Sequence, residues 1–240
     1  PALLPNFPEQ FVAIDTITDV AKGTPSDTVK ALGAYRISGH VRDNSGNVLS
    51  NFNGMLNVSF FDKPRTLTTI TAVNKTFKLQ DNLVYKGKVS VTNGKFSYTF
   101  IAPKDINYYM GTAKISHYAH NGVYDAAGVD TNISVGGYSD NPVISDEPPV
   151  VKPYINDSLF QNGGITGTNT SLFVSLYSKT GINVSGNKLG HDMVGILDGN
   201  IEQPYILNDY YETAPNTYQY GTVSFPINGL ANGKHSIRVK

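Results

Sequence analysis

His191 and Asp192 stand side by side in a run of glycines and asparagines, residues 181–211, with Ser185 upstream of them. Serine, histidine and aspartate are the parts of an acyl-transfer site, in which the histidine takes a proton from the hydroxyl nucleophile and the carboxylate orients the ring. That chemistry needs the nucleophile within hydrogen-bond reach of the base, and adjacency along the chain does not supply it. The same run holds no cysteine and no pair of histidines at ligand spacing. No catalytic residue is therefore expected, and the simpler reading is a turn in which Gly190 takes an unusual backbone angle and His191 or Asp192 caps it.

Oxygen ligands for Ca²⁺ are the second chemistry to weigh, because that ion accepts flexible shells of carboxylates and carbonyls. Asp192 and Asp198 are the metal candidates, with Asp209 further along, and Asp43, Asn44 and Asn47 form a separate set. The stretch Asp43-Asn44-Ser45-Gly46-Asn47 lacks the later bidentate glutamate of a calcium loop, so a β-turn is the better reading. Five histidines occur, at 40, 117, 120, 191 and 235. The one close pair, His117 and His120, falls at an odd spacing that places the two rings on opposite faces of a strand, which argues against zinc. No cofactor is expected. Tyr108, Tyr109, Tyr118, Tyr124, Tyr210, Tyr211, Tyr218 and Tyr220 supply rings that stack on sugars or peptides, although tyrosine is also an ordinary strand residue, and packing in the core and at its rim is preferred.

These residues must be carried by strands. Residues 11–20 alternate well enough for one strand, a break follows at 23–27, and 28–32 reads as a short turn. Strands are then predicted at 35–42, 54–61, 67–72, 86–92, 95–101, 111–119 and 131–135, with 120–128 a polar loop. Asn93-Gly94 is the strongest hairpin signal, since both residues tolerate positive φ. The prolines and acids of 138–153 mark a linker, and further strands are predicted at 152–155, 171–178, 194–197, 205–208, 221–226 and 235–239. No stretch sustains a 3.6-residue period, so the class is all-β: two tandem antiparallel β-sandwich, immunoglobulin-like domains. The expected division is a lead-in at 1–33 with one strand, a first sandwich at 34–137, the linker at 138–153, and a second immunoglobulin-like sandwich at 154–240, truncated at its C-terminus.

Composition narrows the function classes. Lys+Arg equals Asp+Glu at 19 each, so no large net charge steers nucleic acid, and no nucleic-acid partner is expected. Without cysteine there is no disulfide, thiolate metal site or Cys nucleophile in these residues. No apolar run reaches the roughly 20 residues of a membrane helix, so no direct membrane span is expected.

Several long phrases are distinctive in combination and order: NFNGMLNVSFFDKPRTLTT (51–69), FKLQDNLVYKGKVSVTNGKFSYTFIAPKDINY (77–108), GTAKISHYA (111–119) with DAAG (125–128), and then GGIT, GIN, GHDM, LDGN and LNDYYE. From about residue 30 to residue 240 the chain resembles the C-terminal region of PorU-type gingipain-like cysteine peptidases, the sortases of the type IX secretion system of Bacteroidetes. The resemblance implies a cell-surface, outer-membrane-associated protein that processes the C-terminal sorting domains of secreted cargo, with its catalytic Cys and His upstream of Pro1. Neither catalytic residue maps onto this chain. As a non-catalytic fragment it would support or dock the upstream catalytic domain and contact outer-membrane secretion-system proteins. The alternative is a surface adhesin or carbohydrate-binding β-sandwich module, suggested by the tyrosines and by the loop at 120–128.

Overall fold

The computed structural model describes residues 8–70, 73–184 and 192–240. The fold is all-β, with 50% of the residues in strands and no α-helix among the described residues. The chain divides into two compact units, one running to Val143 and including Pro215–Thr217, the other comprising Ile144–Ala214 and Tyr218–Lys240.

The first unit contains β1 (Gln10–Asp19), β2 (Thr24–Pro25), β3 (Thr28–Ala31), β4 (Ala34–Arg42), β5 (Gly54–Phe61), β6 (Arg65–Thr68), β7 (Thr76–Leu79), β8 (Leu83–Val91), β9 (Lys95–Ile101), β10 (Gly111–Thr112), β11 (Lys114–His120), β12 (Asp125–Asp130) and β13 (Ser134–Tyr138). Its main sheet runs β8-β5-β11-β12-β1-β4-β9, with β2 beside β1, and a small second sheet runs β10-β13-β3. The ends of the main sheet are joined by the predicted turn at Asn93-Gly94, whose φ values of 51° and 73° suit a type I′ hairpin. That turn does not build an ordinary hairpin. Thr92 and Lys95 form a single bridge, after which β8 pairs with β5 and β9 with β4. The turn therefore brings the two edges of one sheet together, and the sheet is nearly barrel-like rather than a separate pair of layers.

Two further expectations change. Residues 28–31 of the turn read at 28–32 form β3, which pairs in parallel with β13, and Val29 and Ala31 are buried. The polar loop read at 120–128 runs partly into β12, which lies between β11 and β1 and pairs in parallel with the latter. Small residues in DAAGVD carry little strand propensity, and cross-strand partners decide the conformation. The pairing is thus not wholly antiparallel, and β1, read from sequence as a lead-in, sits between β12 and β4.

Alternation puts Ile37, Leu56, Val58, Phe60, Phe100 and Ile115 inside, each at most 1% exposed. Burying such side chains contributes about 1.5–3 kcal/mol apiece before entropy is counted. Aromatic rings fill the centre: Tyr85 stacks on Tyr98 at 5.7 Å and on Phe100 at 5.1 Å, and Phe60 meets Phe100 edge-on at 5.5 Å.

The second unit holds β14 (Val150–Ile155), β15 (Thr170–Tyr177), β16 (Val194–Leu197), β17 (Tyr205–Ile206), β18 (Tyr211–Thr213), β19 (Tyr220–Ile227) and β20 (Ile237–Val239), with a 3-10 turn at Asn208–Tyr210. One sheet runs β14-β15-β19-β18 and the other β17-β16-β20. Their inner faces meet where Gly195 of β16 lies against the side chains of Leu172 and Leu207. Leu172, Val174, Leu176, Ile196, Leu207 and Val223 are buried. β20 pairs with β16, and Val194 and Lys240 exchange backbone bonds of 2.8 and 2.9 Å.

Candidate functional site

Ser185, Gly190 and His191 lie outside the described residues. Asp192 is half-buried just before β16, and Asp198 stands at its far end. Between them β16 alone accounts for about 13 Å of extended chain, which leaves the two carboxylates far outside a shared shell of ligands at about 2.3–2.6 Å. Asp192 and Asp198 thus stand at the two ends of β16. Among the described residues no group of three or more acidic or histidine side chains is placed to hold a metal ion. Asp209 is exposed in the 3-10 turn.

Asp198 has a different partner. Its φ of 49° turns the chain after β16, and its carboxylate accepts bonds from the backbone of Ser236 at 2.7 Å and from His235 Nδ1 at 2.7 Å. The hydrogen bond from His235 and that from the Ser236 amide hold the Asp198 carboxyl below the ordinary aspartate range. His235 is raised, first by its bond to Asp198 and then by the Ala231 carbonyl, 2.9 Å from Nε2. Both ring nitrogens face acceptors, so the ring is built to be an imidazolium donor, and neither nitrogen is left to serve a nucleophile as base. Its stabilising effect is fully present below pH 6.5 and is lost as pH rises through the raised pKa. In Asp198→Ala the His235 titration, followed by NMR, should fall back toward the ordinary histidine range; an unmoved titration would contradict this assignment.

Among the described residues, His117 and His40 are also held by side-chain partners. His117 of β11 is 3% exposed, and its Nε2 shares a 3.0 Å hydrogen bond with the Tyr98 hydroxyl. Burial lowers its pKa to about 4 and pushes that of Tyr98 well above its usual value. Such a pair is neutral near pH 7 and shut away from solvent, so it cannot exchange protons with a substrate. His120, on the opposite face as its spacing predicts, is exposed beside Tyr118 with ring centroids 6.2 Å apart. His40 meets Asp15 across β4 and β1 at 2.8 Å. The hydroxyl that meets a histidine ring, that of Tyr98, is buried with its partner His117. Sequence adjacency paired His191 with Asp192, whereas the fold pairs His235 with Asp198 and His40 with Asp15, residues from different chain segments.

The loop at Asp43 is a satisfied turn. Asn47 donates to Asp43 from its backbone at 2.8 Å and from its side chain at 3.1 Å, and these two bonds, the side-chain one foremost, depress the Asp43 carboxyl.

One ionic cluster had no signal in the sequence. Asp62 is 2% exposed directly after β5. Its Oδ1 accepts from Lys63 Nζ at 2.8 Å and from the Lys63 backbone at 2.7 Å; its Oδ2 accepts from the Asn107 backbone at 3.2 Å and Asn82 Nδ2 at 3.3 Å. Lys63 Nζ also donates to the carbonyls of Asn107 and Val135 at 2.8 and 3.2 Å. Four chain segments are tied at one buried charge pair, which accounts for a charged dipeptide in an otherwise apolar stretch.

The tyrosines divide between core, rim and open surface: Tyr210 packs on Phe225 at 4.7 Å and Tyr220 on Tyr177 at 4.6 Å. Of the eight, Tyr211 is buried, but Tyr109 is 83% exposed, Tyr124 60% and Tyr108 52%, with Tyr118, Tyr210 and Tyr220 also exposed. Tyr35, Tyr85 and Tyr98, none of them among the eight, join the phenylalanines in the core of the first unit.

No family model matches the sequence, and no curated protein does. Among solved structures, dimeric latent PorU from Porphyromonas gingivalis is similar over 97% of this chain at 28% identity and a TM-score of 0.55. This chain resembles one region of PorU. The match covers 22% of PorU, so the chain spans about a fifth of that protein's length. The sporulation control protein Spo0M from Bacillus subtilis aligns over 91% of this chain and 89% of its own, at 13% identity and a TM-score of 0.32. The Escherichia coli adhesin FdeC aligns over 97% and 59%, at 12% identity and 0.24. The latter two overlaps carry no weight for fold or function. Among the described residues no helix is long and apolar enough to cross a membrane.

Proposed function

We propose that this chain is the non-catalytic C-terminal β-region of a PorU-type gingipain-like cysteine peptidase at the cell surface, where it supports the upstream catalytic domain and docks it to outer-membrane secretion proteins. The observation that carries this reading is the alignment of nearly the whole chain with one stretch of PorU. The absence of cysteine, together with histidines engaged in structural bonds, agrees with chemistry placed elsewhere. In this reading both compact units, the one running to Val143 and the one from Ile144 onward, are accessory β-domains, the second of them immunoglobulin-like. The purified 240 residues should leave a sorting-domain peptide intact under conditions in which the parent protein, with its upstream domain, cleaves it. Cleavage by the 240 residues alone would refute the assignment.

The exposure of Tyr108, Tyr109 and Tyr124 favours a second reading, a surface adhesin or carbohydrate-binding module that stacks sugars on those rings. Glycan-array binding lost in Tyr109→Ala and Tyr124→Ala is its expected signature, and silence on the array would remove it.

A further inference from the structure

The ribbon formed by β6 and β7 is exposed at nearly every position. Its register pairs Arg65 with Leu79, Thr66 with Lys78, Leu67 with Phe77 and Thr68 with Thr76. Side chains alternate along a strand, so Arg65, Leu67, Phe77 and Leu79 share one face, and Thr66, Thr68, Thr76 and Lys78 the other. Phe77 is 48% exposed and Leu79 37%; nearer the turn, Val73 is 68% exposed and Ile70 wholly so. A two-stranded ribbon with an uncovered apolar face is marginal in water, and apolar side chains gathered there mark a contact surface. The base of the ribbon is fixed in place. Arg65 grips Asp81 with two bonds of 3.0 and 2.7 Å, and the Gln80 amide donates to the Asp62 carbonyl at 2.8 Å.

Charge and area identify the occupant. From residue 63 to residue 80 the chain carries Lys63, Arg65, Lys75 and Lys78 and no acid. Lys63 and Arg65 are matched by Asp62 and Asp81, so the exposed Lys75 and Lys78 give the ribbon a positive charge of its own, although the whole chain is neutral. A second copy is a poor fit. Stable pairs bury about 800 Å² and roughly 20–30 residues a side, against five apolar side chains here, and two copies would bring like charges together. A lipid interface requires no shaped partner: each apolar side chain partitions on its own, and each lysine gains from anionic headgroups.

We propose that the β6–β7 ribbon is a contact site for an anionic lipid surface. Ile70, Val73 and Phe77 enter the interface, Lys75 meets the headgroups, and Lys78, on the other face of the ribbon, adds its charge to the attraction at short range. The assignment is independent of the likeness to PorU. Co-sedimentation of the whole chain with phosphatidylcholine vesicles, with and without phosphatidylglycerol, tests it. Binding is expected to the phosphatidylglycerol vesicles and to weaken with salt. Lys75→Gln with Lys78→Gln should reduce it about 30-fold, at about 5-fold per lysine. Ile70→Ser with Phe77→Ser should reduce it at least about 10-fold. These positions are exposed, so both variants should keep the thermal midpoint of the unaltered chain. No binding to phosphatidylglycerol vesicles, or binding that neither double variant alters, would overturn the proposal. Self-association that disappears in Ile70→Ser with Phe77→Ser, seen in place of vesicle binding, would also overturn it by assigning the ribbon to a second copy.

Discussion

Lys63→Met should destabilise the first unit by about 3–5 kcal/mol, because it strands the Asp62 carboxylate in the interior without its cation. The remaining donors to Asp62, the backbone amides of Lys63 and Asn107 and the side chain of Asn82, are neutral and sit at 2.7–3.3 Å. The substitution also takes the ammonium from the Asn107 and Val135 carbonyls, so the loop after β9 and the strand β13 lose their tie to the end of β5. Denaturant unfolding of the single variant, of Asp62→Asn, and of the double variant forms a cycle. The double variant should recover much of the loss, since removing both charges removes the desolvation problem. If Lys63→Met costs no more than an exposed lysine substitution, the pair is not the tie described.

His117 should make the first unit acid-labile in a window that the carboxylates do not share. Its pKa is about 4 in the folded chain against 6.5 when unfolded. Between those values the unfolded state binds the extra proton, so stability is complete above pH 6.5 and falls as pH drops toward 4. Integrated over that interval the loss is about 3 kcal/mol. The depressed carboxyls of Asp43, Asp81, Asp140 and Asp198 start from 3.8 and lose their contribution below it. His235, raised above 6.5, acts on the alkaline side of the window. His117→Gln keeps a side chain that bonds to Tyr98 but does not titrate. Plots of unfolding free energy against pH should therefore be flatter for that variant between about 4 and 6.5, whatever its offset, and parallel plots would contradict the assignment.

What could be read from the chain follows from how local each signal is. The strands at 54–61, 95–101 and 194–197 were legible to the residue because alternation and flanking turn residues specify them locally. β3 and β12 were not, since short, small or polar segments become strands only when a partner strand satisfies their backbone. The Asn93-Gly94 turn was legible as a turn, but that its two strands would leave one another for β5 and β4 was not. A turn fixes direction over a few residues, whereas the choice of sheet neighbour rests on buried faces far apart in sequence.

The site residues divide in the same way. Sequence alone determined the chemistry that is unavailable: with no cysteine and balanced charge, thiol chemistry and broad electrostatic steering are closed to these residues. It also determined that His117 and His120 face apart, because strand periodicity alone decides it. Only tertiary structure decided which aspartate each histidine meets, that Asp62 and Lys63 are buried together, which tyrosines make the core, and that an apolar ribbon with two lysines lies open. Those outcomes depend on register between strands tens of residues apart and on the solvent each face is left with, and neither quantity is written in local spacing.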